Sequence, residues 1–460
     1  MTGKGTGARC FDSSLIRLQR ASLLTLKAKG GIHYGGSRGK VMTLRDDREG
    51  FLVDAPVRRA QGSRLRRGLW AALLAGIGGR LQTGKLTVET PSGEQLVFGG
   101  KSAGPTASLQ IHRWRSLRRL ILGGDLGFAE SYMDGDWSSP DLAALIEFAV
   151  RNEAALGSAI MGTAPLRLLN RLRHLARANT RRGSRRNIAQ HYDLGNEFYA
   201  RWLDPSMTYS SAYYTGAETL EEAQAAKIDR AIGQLGLAGG ESVLEIGCGW
   251  GALAEALVSR YGSRVTGLTL SEKQRAYAEE RLAKAGLADR AEICLRDYRD
   301  EKGLFDRIIS IEMFEAVGEA NWPKFFEVVR ERLARGGSAV LQIITIADER
   351  FETYRRAADF IQRYIFPGGM LPSPSVLREQ IARAGLSLSS LENFGASYAK
   401  TLAEWNRRFQ RAWADIAALG FDARFKRMWE YYLAYCEAGF RAGTIDVGLY
   451  RIEKPLSNQN

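Results

Sequence analysis

The sequence predicts an α/β protein: a parallel sheet with helices on both faces, preceded by a small α+β domain. Residues 242–246 form a short apolar run, which is followed by a glycine-rich turn at 247–251 and a helical pattern at 252–260. From there strands and helices alternate, which is typical of a parallel sheet. Upstream, residues 85–98 alternate between apolar and polar around a Pro-Ser-Gly turn at 91–93, which predicts a β-hairpin.

The remaining elements of the larger domain are predicted from apolar runs and helical spacing. The predicted strands are 242–246, 264–269, 291–295, 305–311, 338–345, 386–394 and 444–451. The predicted helices are 252–260, 271–285 with Ser271 as N-cap, 322–334, 376–384, 400–418 and 422–440. Because the last strand follows two long helices, we expect a strand pair that closes one edge of the sheet.

Four regions are expected along the 460 residues. They are a poorly ordered extension at 1–60, the α+β domain at 65–155, a basic amphipathic linker at 156–186 and the larger domain at 187–455. Within the α+β domain we expect the hairpin, a strand at 109–111 and helices at 115–122 and 140–152. Residues 124–137 are glycine-rich and aromatic. The four cysteines are scattered without a CxxC pair, so neither a zinc site nor a disulfide framework is predicted.

The net charge of +14 predicts an anionic partner. Residues 165–186 combine eight arginines with leucines at helical spacing, which suits either a solvated linker or a contact with anionic lipid head groups. No aromatic residues alternate with the arginines, whereas single-stranded nucleic acid is usually bound with stacking aromatics. We therefore predict an anionic membrane surface and no nucleic acid as partner, with a cytoplasmic protein peripheral on the inner membrane surface.

The glycine-rich turn is the candidate cofactor site. No lysine stands in it to meet a phosphate, and Glu245 precedes its first glycine. A carboxylate there would repel a pyrophosphate but suits a cationic ligand with an amino group, such as S-adenosylmethionine. A glycine-rich turn can also serve only close packing of helix and strand, so the motif by itself leaves both readings open.

Six motifs, in order, carry a resemblance to a known family. They are HYDLGN at 191–196, YSSAY at 209–213, GCGWG at 247–251, MFE at 313–315, YIFPGG at 364–369 and NFGASY at 393–398. In this order and spacing the chain resembles the cyclopropane-fatty-acyl-phospholipid synthases and mycolic acid cyclopropane synthases, over about residues 85–455. The resemblance implies a Rossmann-like, seven-stranded methyltransferase sheet with helical insertions over the substrate site. It also implies S-adenosylmethionine as cofactor and unsaturated phospholipid acyl chains as substrate.

The matching motifs assign the cofactor site by resemblance. The expected cofactor-binding residues are Tyr209 and Ser210 at the methionine end, Glu245, Gly247, Gly249 and Gly251 in and before the turn, Thr269, Leu270 and Gln274 around the ribose, and Asp297, Tyr298 and Ile311 by the adenine. Tyr298 and Ile311 can also be ordinary core residues. No metal site is predicted.

The resemblance also implies the expected catalytic residues, and the chemistry explains their roles. Attack of an alkene on a sulfonium methyl leaves a carbocation, which needs aromatic walls and a base. In the family a bound bicarbonate is that base, held by a Glu and a Tyr that match Glu315 and Tyr398. Two departures, Ser211 for a Cys and Gln342 for a His, put bicarbonate binding in doubt. Cys436 matches a cysteine once considered catalytic, and we interpret it as a small buried hydrophobe.

The leading function is methyl (methylene) transfer to the cis double bond of an unsaturated acyl chain, giving a cyclopropane fatty acid. Loss of a different proton would give a methyl- or methylene-branched chain instead. Two other classes are considered. One is a methyltransferase that acts on RNA or a small molecule, and the acyl-chain motifs argue against it. The other is a lipid-binding protein that has lost its catalytic site, and the intact Glu245, Glu315 and Tyr398 argue against it. A homodimer is left open.

Overall fold

The computed structural model describes residues 69–157 and 194–456. The predicted N-terminal extension, the basic segment 165–186 and His191 lie outside these residues.

The N-terminal part contains a four-stranded sheet in the order β2-β1-β3-β4. Its elements are α1 (Leu69–Gly78), β1 (Thr83–Glu89), β2 (Gln95–Gly99), β3 (Ser102–Ile111), α2 (Arg115–Met133), β4 (Trp137–Ser138), α3 (Leu142–Arg151) and α4 (Glu153–Leu156). β1 and β2 form the predicted antiparallel hairpin, and Gly93 has a φ of 79° in its turn. β3 lies parallel to β1 and is longer than the strand predicted at 109–111.

Helix α2 differs from the sequence prediction. The helix continues to Met133 across a kink at Gly124, whose φ of 66° and ψ of −149° are not helical. A Cβ at Gly127 would lie 2.3 Å from the carbonyl oxygen of Arg119, so a glycine lets the two halves of the kinked helix approach. The helix predicted at 115–122 therefore extends through the first part of the glycine-rich segment, to Met133, as a bent helix.

The larger part is built on a seven-stranded sheet in the order β10-β11-β9-β8-β5-β6-β7. Its strands are β5 (Ser242–Ile246), β6 (Arg264–Thr269), β7 (Ala291–Leu295), β8 (Phe305–Ile311), β9 (Leu333–Ile346), β10 (Ser387–Asn393) and β11 (Ile445–Glu453). β11 is antiparallel to both neighbours, β9 and β10, and the other pairings are parallel. The predicted fold class is confirmed, and β10 and β11 form the expected pair at one edge.

Helices cover both faces and the carboxyl edge of this sheet. They are α5 (Asn196–Ala200), α6 (Leu220–Leu235), α7 (Ala252–Tyr261), α8 (Glu272–Lys284), α9 (Trp322–Arg332), α10 (Asp348–Tyr354), α11 (Pro374–Arg383), α12 (Gly395–Arg411), α13 (Trp413–Ala418) and α14 (Ala423–Ala442). Ser271 caps α8 as predicted, accepting the Gln274 N–H. α9 ends two residues earlier than predicted, because Leu333 is extended and pairs with Phe305 of β8.

Helix α14 joins the two parts of the chain. The Arg427 guanidinium lies 4.1 Å from the ring centre of Tyr132 on α2, and its Nη2 donates to the Trp137 carbonyl at 2.6 Å. The Tyr132 hydroxyl donates to Glu430 at 2.9 Å. α2 is thereby held against the helices that cover the carboxyl edge of the large sheet.

Among the helices of residues 69–157 and 194–456, none has both the length and the apolar character that crossing a bilayer requires.

Candidate active site

A cavity of about 790 Å³ lies at the carboxyl edge of the large sheet. The glycine-rich turn after β5 lines it together with the ends of β6 and β8, and α12 and α14 form another wall. The N-terminal part contributes Leu122, Leu126 and Val150. Open α/β sheets bind their ligands at this edge, where the strand order reverses. The cavity therefore stands where the sequence predicted the site.

The glycines of the turn have different tasks. All three have positive φ, 88° at Gly247, 52° at Gly249 and 84° at Gly251. A Cβ at Gly249 would meet no protein atom within 4 Å, so this backbone faces open space in the cavity. A Cβ at Gly251 would lie 2.9 Å from that of Ala278, and Gly251 does not line the cavity. Gly251 therefore serves helix packing rather than direct ligand contact.

Glu245 is a buried carboxylate with spare acceptor capacity. It is 3% exposed, lines the cavity, and its Oε2 has no hydrogen-bond partner among the described residues. Burial raises the pKa of Glu245 to about 8, and the charge of Lys227 opposes this. A cationic group bound beside Glu245 would favour the ionised form. This orphaned acceptor fits the ammonium-bearing ligand expected from the sequence.

Lys227 is a functional candidate that sequence reasoning missed. Its amine is buried, lines the cavity and donates to Ser210 Oγ at 2.8 Å. Burial lowers the pKa of Lys227 to about 8. The signal for it was available: Gln224 and Lys227 interrupt the buried face of α6, where apolar residues are expected.

Most of the other expected cofactor residues line the same cavity. Tyr209, Thr269, Leu270, Gln274, Tyr298 and Ile311 all do so. Thr269 Oγ1 donates to Gln274 Oε1 at 2.9 Å, so these two side chains orient each other.

Asp297, also expected at the adenine, lies in the loop after β7 and pairs with a neighbouring residue. Its carboxylate is buried against the Arg299 guanidinium, with bonds of 2.8 and 2.6 Å, and it caps the turn that follows by accepting the Arg299 N–H. It does not line the cavity. The acidic residue thus supports the loop that carries Tyr298.

The centre of the acceptor side is Glu312, which sequence reasoning also missed. Its Oε1 accepts the Ser211 backbone N–H at 2.8 Å and the Gln342 Nε2 at 2.7 Å, and its Oε2 accepts the Tyr398 hydroxyl at 2.6 Å. Glu312 lines the cavity, directly after β8. Burial raises the pKa of Glu312 above its ordinary value, although the three hydrogen bonds and the charge of Lys227 oppose this shift. The available signal was a second carboxylate three residues before Glu315 at a strand end.

Two expectations about this side are corrected by the geometry. Tyr398, expected as the partner of Glu315, donates instead to Glu312. The Ser211 hydroxyl, expected to replace a thiol toward an anion, donates to the Ala212 carbonyl at 2.9 Å, and only the Ser211 backbone reaches Glu312. Of the two departures from the family pattern, Gln342 alone uses its side chain at the site.

Glu315 also lines the cavity, but its carboxyl group has fewer hydrogen-bond donors than that of Glu312. Its Oε1 accepts the Ile344 N–H at 2.6 Å, and its Oε2 has no hydrogen-bond partner among the described residues. Burial, and then the charge of Glu312, raises the pKa of Glu315 to about 8. At neutral pH Glu315 is therefore a protonated carboxyl group next to the hydrogen-bonded Glu312.

Aromatic and apolar residues form much of the remaining wall. Phe366, Tyr432, Tyr435 and Phe440 line it, and the Tyr432 hydroxyl lies 2.8 Å from that of Tyr209. Cys436 also lines the cavity, and burial raises the pKa of its thiol well above the ordinary value. Its thiol is therefore protonated and unreactive, in agreement with the interpretation as a small hydrophobe.

The HYDLGN motif at 191–196 contacts the glycine-rich turn at 247–251 through Asn196, which is among the described residues. Asn196 Oδ1 accepts the Trp250 indole N–H at 2.9 Å, which connects this segment to the glycine-rich turn.

Comparison with known proteins identifies the family. Residues 179–449 match the family model described as mycolic acid cyclopropane synthetase. The chain is 40% identical over 364 residues to tuberculostearic acid methyltransferase of Mycobacterium tuberculosis, covering 75% of this chain and 83% of that protein. It is 38% identical over 346 residues to cyclopropane-fatty-acyl-phospholipid synthase of Escherichia coli, covering 74% and 86%.

A solved structure agrees with these relatives. The crystal structure of a mycolic acid cyclopropane synthase complexed with SAH and CTAB is 35% identical, with a TM-score of 0.56, and covers 59% of this chain and 98% of that one. The residues that match the family model include the cavity-lining turn, the strand ends and α12. The chain therefore belongs to the mycolic acid cyclopropane synthetase family of S-adenosylmethionine-dependent methyltransferases, which act on lipid acyl chains.

Proposed function

We propose that this enzyme transfers a methyl (methylene) group from S-adenosylmethionine to the cis double bond of an unsaturated fatty acyl chain in phospholipid. One observation carries the proposal. A single cavity joins the open backbone at Gly249 and the orphaned Glu245 to a paired-carboxylate site at Glu312 and Glu315. Apolar and aromatic side chains make up much of its remaining wall, together with polar ones such as Asp125 and Asp359. Such a cavity suits a cationic donor at one end and an uncharged chain at the other.

The residues present fit the cofactor. Glu245 is the acceptor for an ammonium group, Lys227 and Ser210 suit a carboxylate, and Thr269 with Gln274 offers polar groups to a ribose. When bound, S-adenosylmethionine supplies an electrophilic methyl group that the acyl double bond can take up, which leaves a cation on the chain.

The chain's own residues then have two tasks. The ring faces of Phe366, Tyr432 and Phe440 exclude water and stabilise the acyl cation. A carboxylate at the end of β8 takes one proton, so that the product becomes neutral. If the proton comes from the new methyl group and its electron pair closes a carbon–carbon bond, the product is a cyclopropane. If the electron pair forms a carbon–carbon double bond, the product is a methyl- or methylene-branched chain.

We keep the cyclopropane as the leading product and the branched chain as the second. A specific observation favours the second. The site has a side-chain carboxylate, Glu312, at the point where Ser211, Gln342 and Tyr398 meet, and a fixed base removes protons only from carbons within its reach. The relative at 40% identity is also a tuberculostearic acid methyltransferase.

The N-terminal part has a role in this function. Leu122, Leu126 and Val150 line the cavity opposite the sheet, so this part forms the wall against which an acyl chain would lie. We place the enzyme in the cytoplasm, peripheral on an anionic inner membrane surface, with the basic segment 165–186 as its contact.

The test is expression in a host that lacks such an enzyme, followed by mass spectrometry of its phospholipids. We expect unsaturated chains to gain one CH₂ unit, and fragmentation will distinguish ring from branch. Gly249→Val serves as the inactive control. Unchanged lipids in cells that contain soluble protein able to bind S-adenosylmethionine would contradict the proposal.

A further inference from the structure

We propose that the Glu312 carboxylate occupies the place of the bicarbonate expected by resemblance and is itself the base that takes the proton from the methylated acyl chain. The inference rests on the proposed function, since it concerns the second half of that reaction. It departs from the resemblance, in which the base is a bound ion.

The first support is the convergence of donors on one side chain. The Ser211 N–H and the Tyr398 hydroxyl each have a single hydrogen, and both donate it to Glu312. Gln342 Nε2 supplies the third bond, at 2.7 Å. Three donors from three distant segments solvate a carboxylate as they would a small bound anion. The positions expected to hold bicarbonate, Tyr398 and Gln342, thus already hold an anion that belongs to the chain.

The second support is electrostatic. A bicarbonate at these donors would stand beside the Glu312 carboxylate, and two anions at close range disfavour each other. Gln342 Oε1 is buried without a hydrogen-bond partner among the described residues, and it offers only lone pairs to a further anion. The donors here therefore suit one carboxylate and do not fit an additional bicarbonate.

The third support is the backbone at Glu312. Its φ of 49° is in the left-handed region, which non-glycine residues rarely adopt. Its N–H donates to the Gln342 carbonyl at 2.9 Å, so the strained residue is anchored to β9. Backbone strain of this kind persists where the surroundings enforce it, often at functional sites. Here it directs a carboxylate into the cavity wall.

The proposed step is balanced. A C–H bond of the methylated, cationic chain breaks, and its electron pair forms the new carbon–carbon bond of a ring or a double bond. The proton goes to an oxygen of Glu312, so that cation and carboxylate become neutral product and carboxylic acid. No oxidant or reductant is needed. The neutral Glu315 alongside adds no second charge that would compete for the proton.

The experiment uses the purified full-length enzyme, vesicles of unsaturated phosphatidylglycerol and S-adenosylmethionine, in carbonate-free buffer and with added bicarbonate. We expect wild-type turnover to be the same within twofold in both. Glu312→Gln should reduce turnover at least 100-fold in both, with unchanged affinity for S-adenosylhomocysteine. The matched control is Glu327→Gln, at an exposed glutamate on α9 that pairs with Lys324.

A second variant keeps the proposal falsifiable if Glu312→Gln folds poorly. Glu312→Gly removes the carboxylate at a φ that glycine adopts without strain, and leaves its donors free. Its turnover should rise at least tenfold with bicarbonate or formate. Carbon-13 NMR should show labelled bicarbonate bound to Glu312→Gly and not to wild type.

The experiment distinguishes a failure of the proposed function from a failure of the assignment of Glu312 as the base. If wild type adds no CH₂ unit to lipid, the proposed function fails. If wild type does so but loses activity without bicarbonate, binds labelled bicarbonate, or tolerates Glu312→Gln, the function stands and the assignment of Glu312 is overturned.

Discussion

The Tyr398 hydroxyl donates to Glu312 Oε2 at 2.6 Å, although the sequence pairs Tyr398 with Glu315. This hydrogen bond gives the two carboxyl groups of the site, Glu312 and Glu315, different surroundings. Glu312 accepts three hydrogen bonds that lower its pKa against the effect of burial, whereas Glu315 has a single backbone donor and burial raises its pKa to about 8. Pairs of titratable groups whose surroundings push their pKa values apart are typical of sites that manage protons.

The neutral state of Glu315 predicts a pH-dependent stability. Its pKa is raised from the ordinary 4.5 to about 8 in the folded protein, so the stability associated with its proton is present below pH 4.5 and is lost as the pH rises through 8. Each pKa unit corresponds to about 1.4 kcal/mol. We expect the free energy of unfolding of Glu315→Gln, relative to wild type, to rise by about 3 kcal/mol between pH 5.5 and pH 8, because only wild type loses this stability.

Urea unfolding of the ligand-free protein at pH 5.5, 7 and 8.5 measures this difference, with Glu327→Gln as the exposed control. Parallel pH dependence in Glu315→Gln and wild type would show that Glu315 is ionised in the folded state.

Cofactor binding should depend on the open space at Gly249. A side chain there meets no protein atom and would occupy the ligand's volume, and a β-branched residue is also strained at a φ of 52°. We expect Gly249→Val to abolish binding of S-adenosylmethionine in calorimetry while the protein stays folded.

Gly93→Val is the matched control, because Gly93 has a φ of 79° and open space around it, in the exposed hairpin turn. We expect Gly93→Val to introduce the same backbone strain but to bind S-adenosylmethionine as wild type does. Unchanged affinity in Gly249→Val would remove this turn from the cofactor site.

Lys227 should contribute to cofactor affinity through its charge. The buried amine contacts Ser210 and lowers the pKa of Glu245. Lys227→Met keeps the length and removes the charge, and a buried hydrogen bond to a charged group is worth about 1.5–3 kcal/mol. We expect S-adenosylhomocysteine to bind roughly 10- to 100-fold more weakly.

Calorimetry tests this prediction, with Lys324→Met, at an exposed lysine on α9, as the control. Equal affinities in all three proteins would mean that Lys227 acts only in packing α6.

Vesicle binding should depend on the arginines of the segment 165–186. Because exposed charges are screened within about 10 Å at 0.1 M salt, added salt should weaken binding to anionic vesicles. Arg171→Gln with Arg173→Gln should weaken it at low salt, more than the control pair Arg275→Gln with Arg383→Gln, which removes the same charge elsewhere. Cosedimentation measures both. Equal binding to neutral vesicles at every salt concentration would exclude this role.

The sequence alone determined what depends on neighbours along the chain. The apolar run at 242–246, the glycines at 247–251 and the Ser271 cap each act within a few residues, so strand, turn and helix could be predicted where they lie. The motif resemblance extended this to the family. The ends of helices that depend on contacts with distant residues were predicted less well. Helix α9 ends at Arg332 because Leu333 joins the sheet. Helix α2 continues through a kink at Gly124.

Only the tertiary structure decided how the acceptor site is arranged. Ser211, Gln342 and Tyr398 lie 101, 30 and 86 residues from Glu312 along the chain, and no local pattern relates them. A residue's protonation state depends on burial and on these distant donors, which the order of residues does not display. The same sheet edge that brings the four groups together makes Glu312 an acceptor of three hydrogen bonds and leaves Glu315 with one.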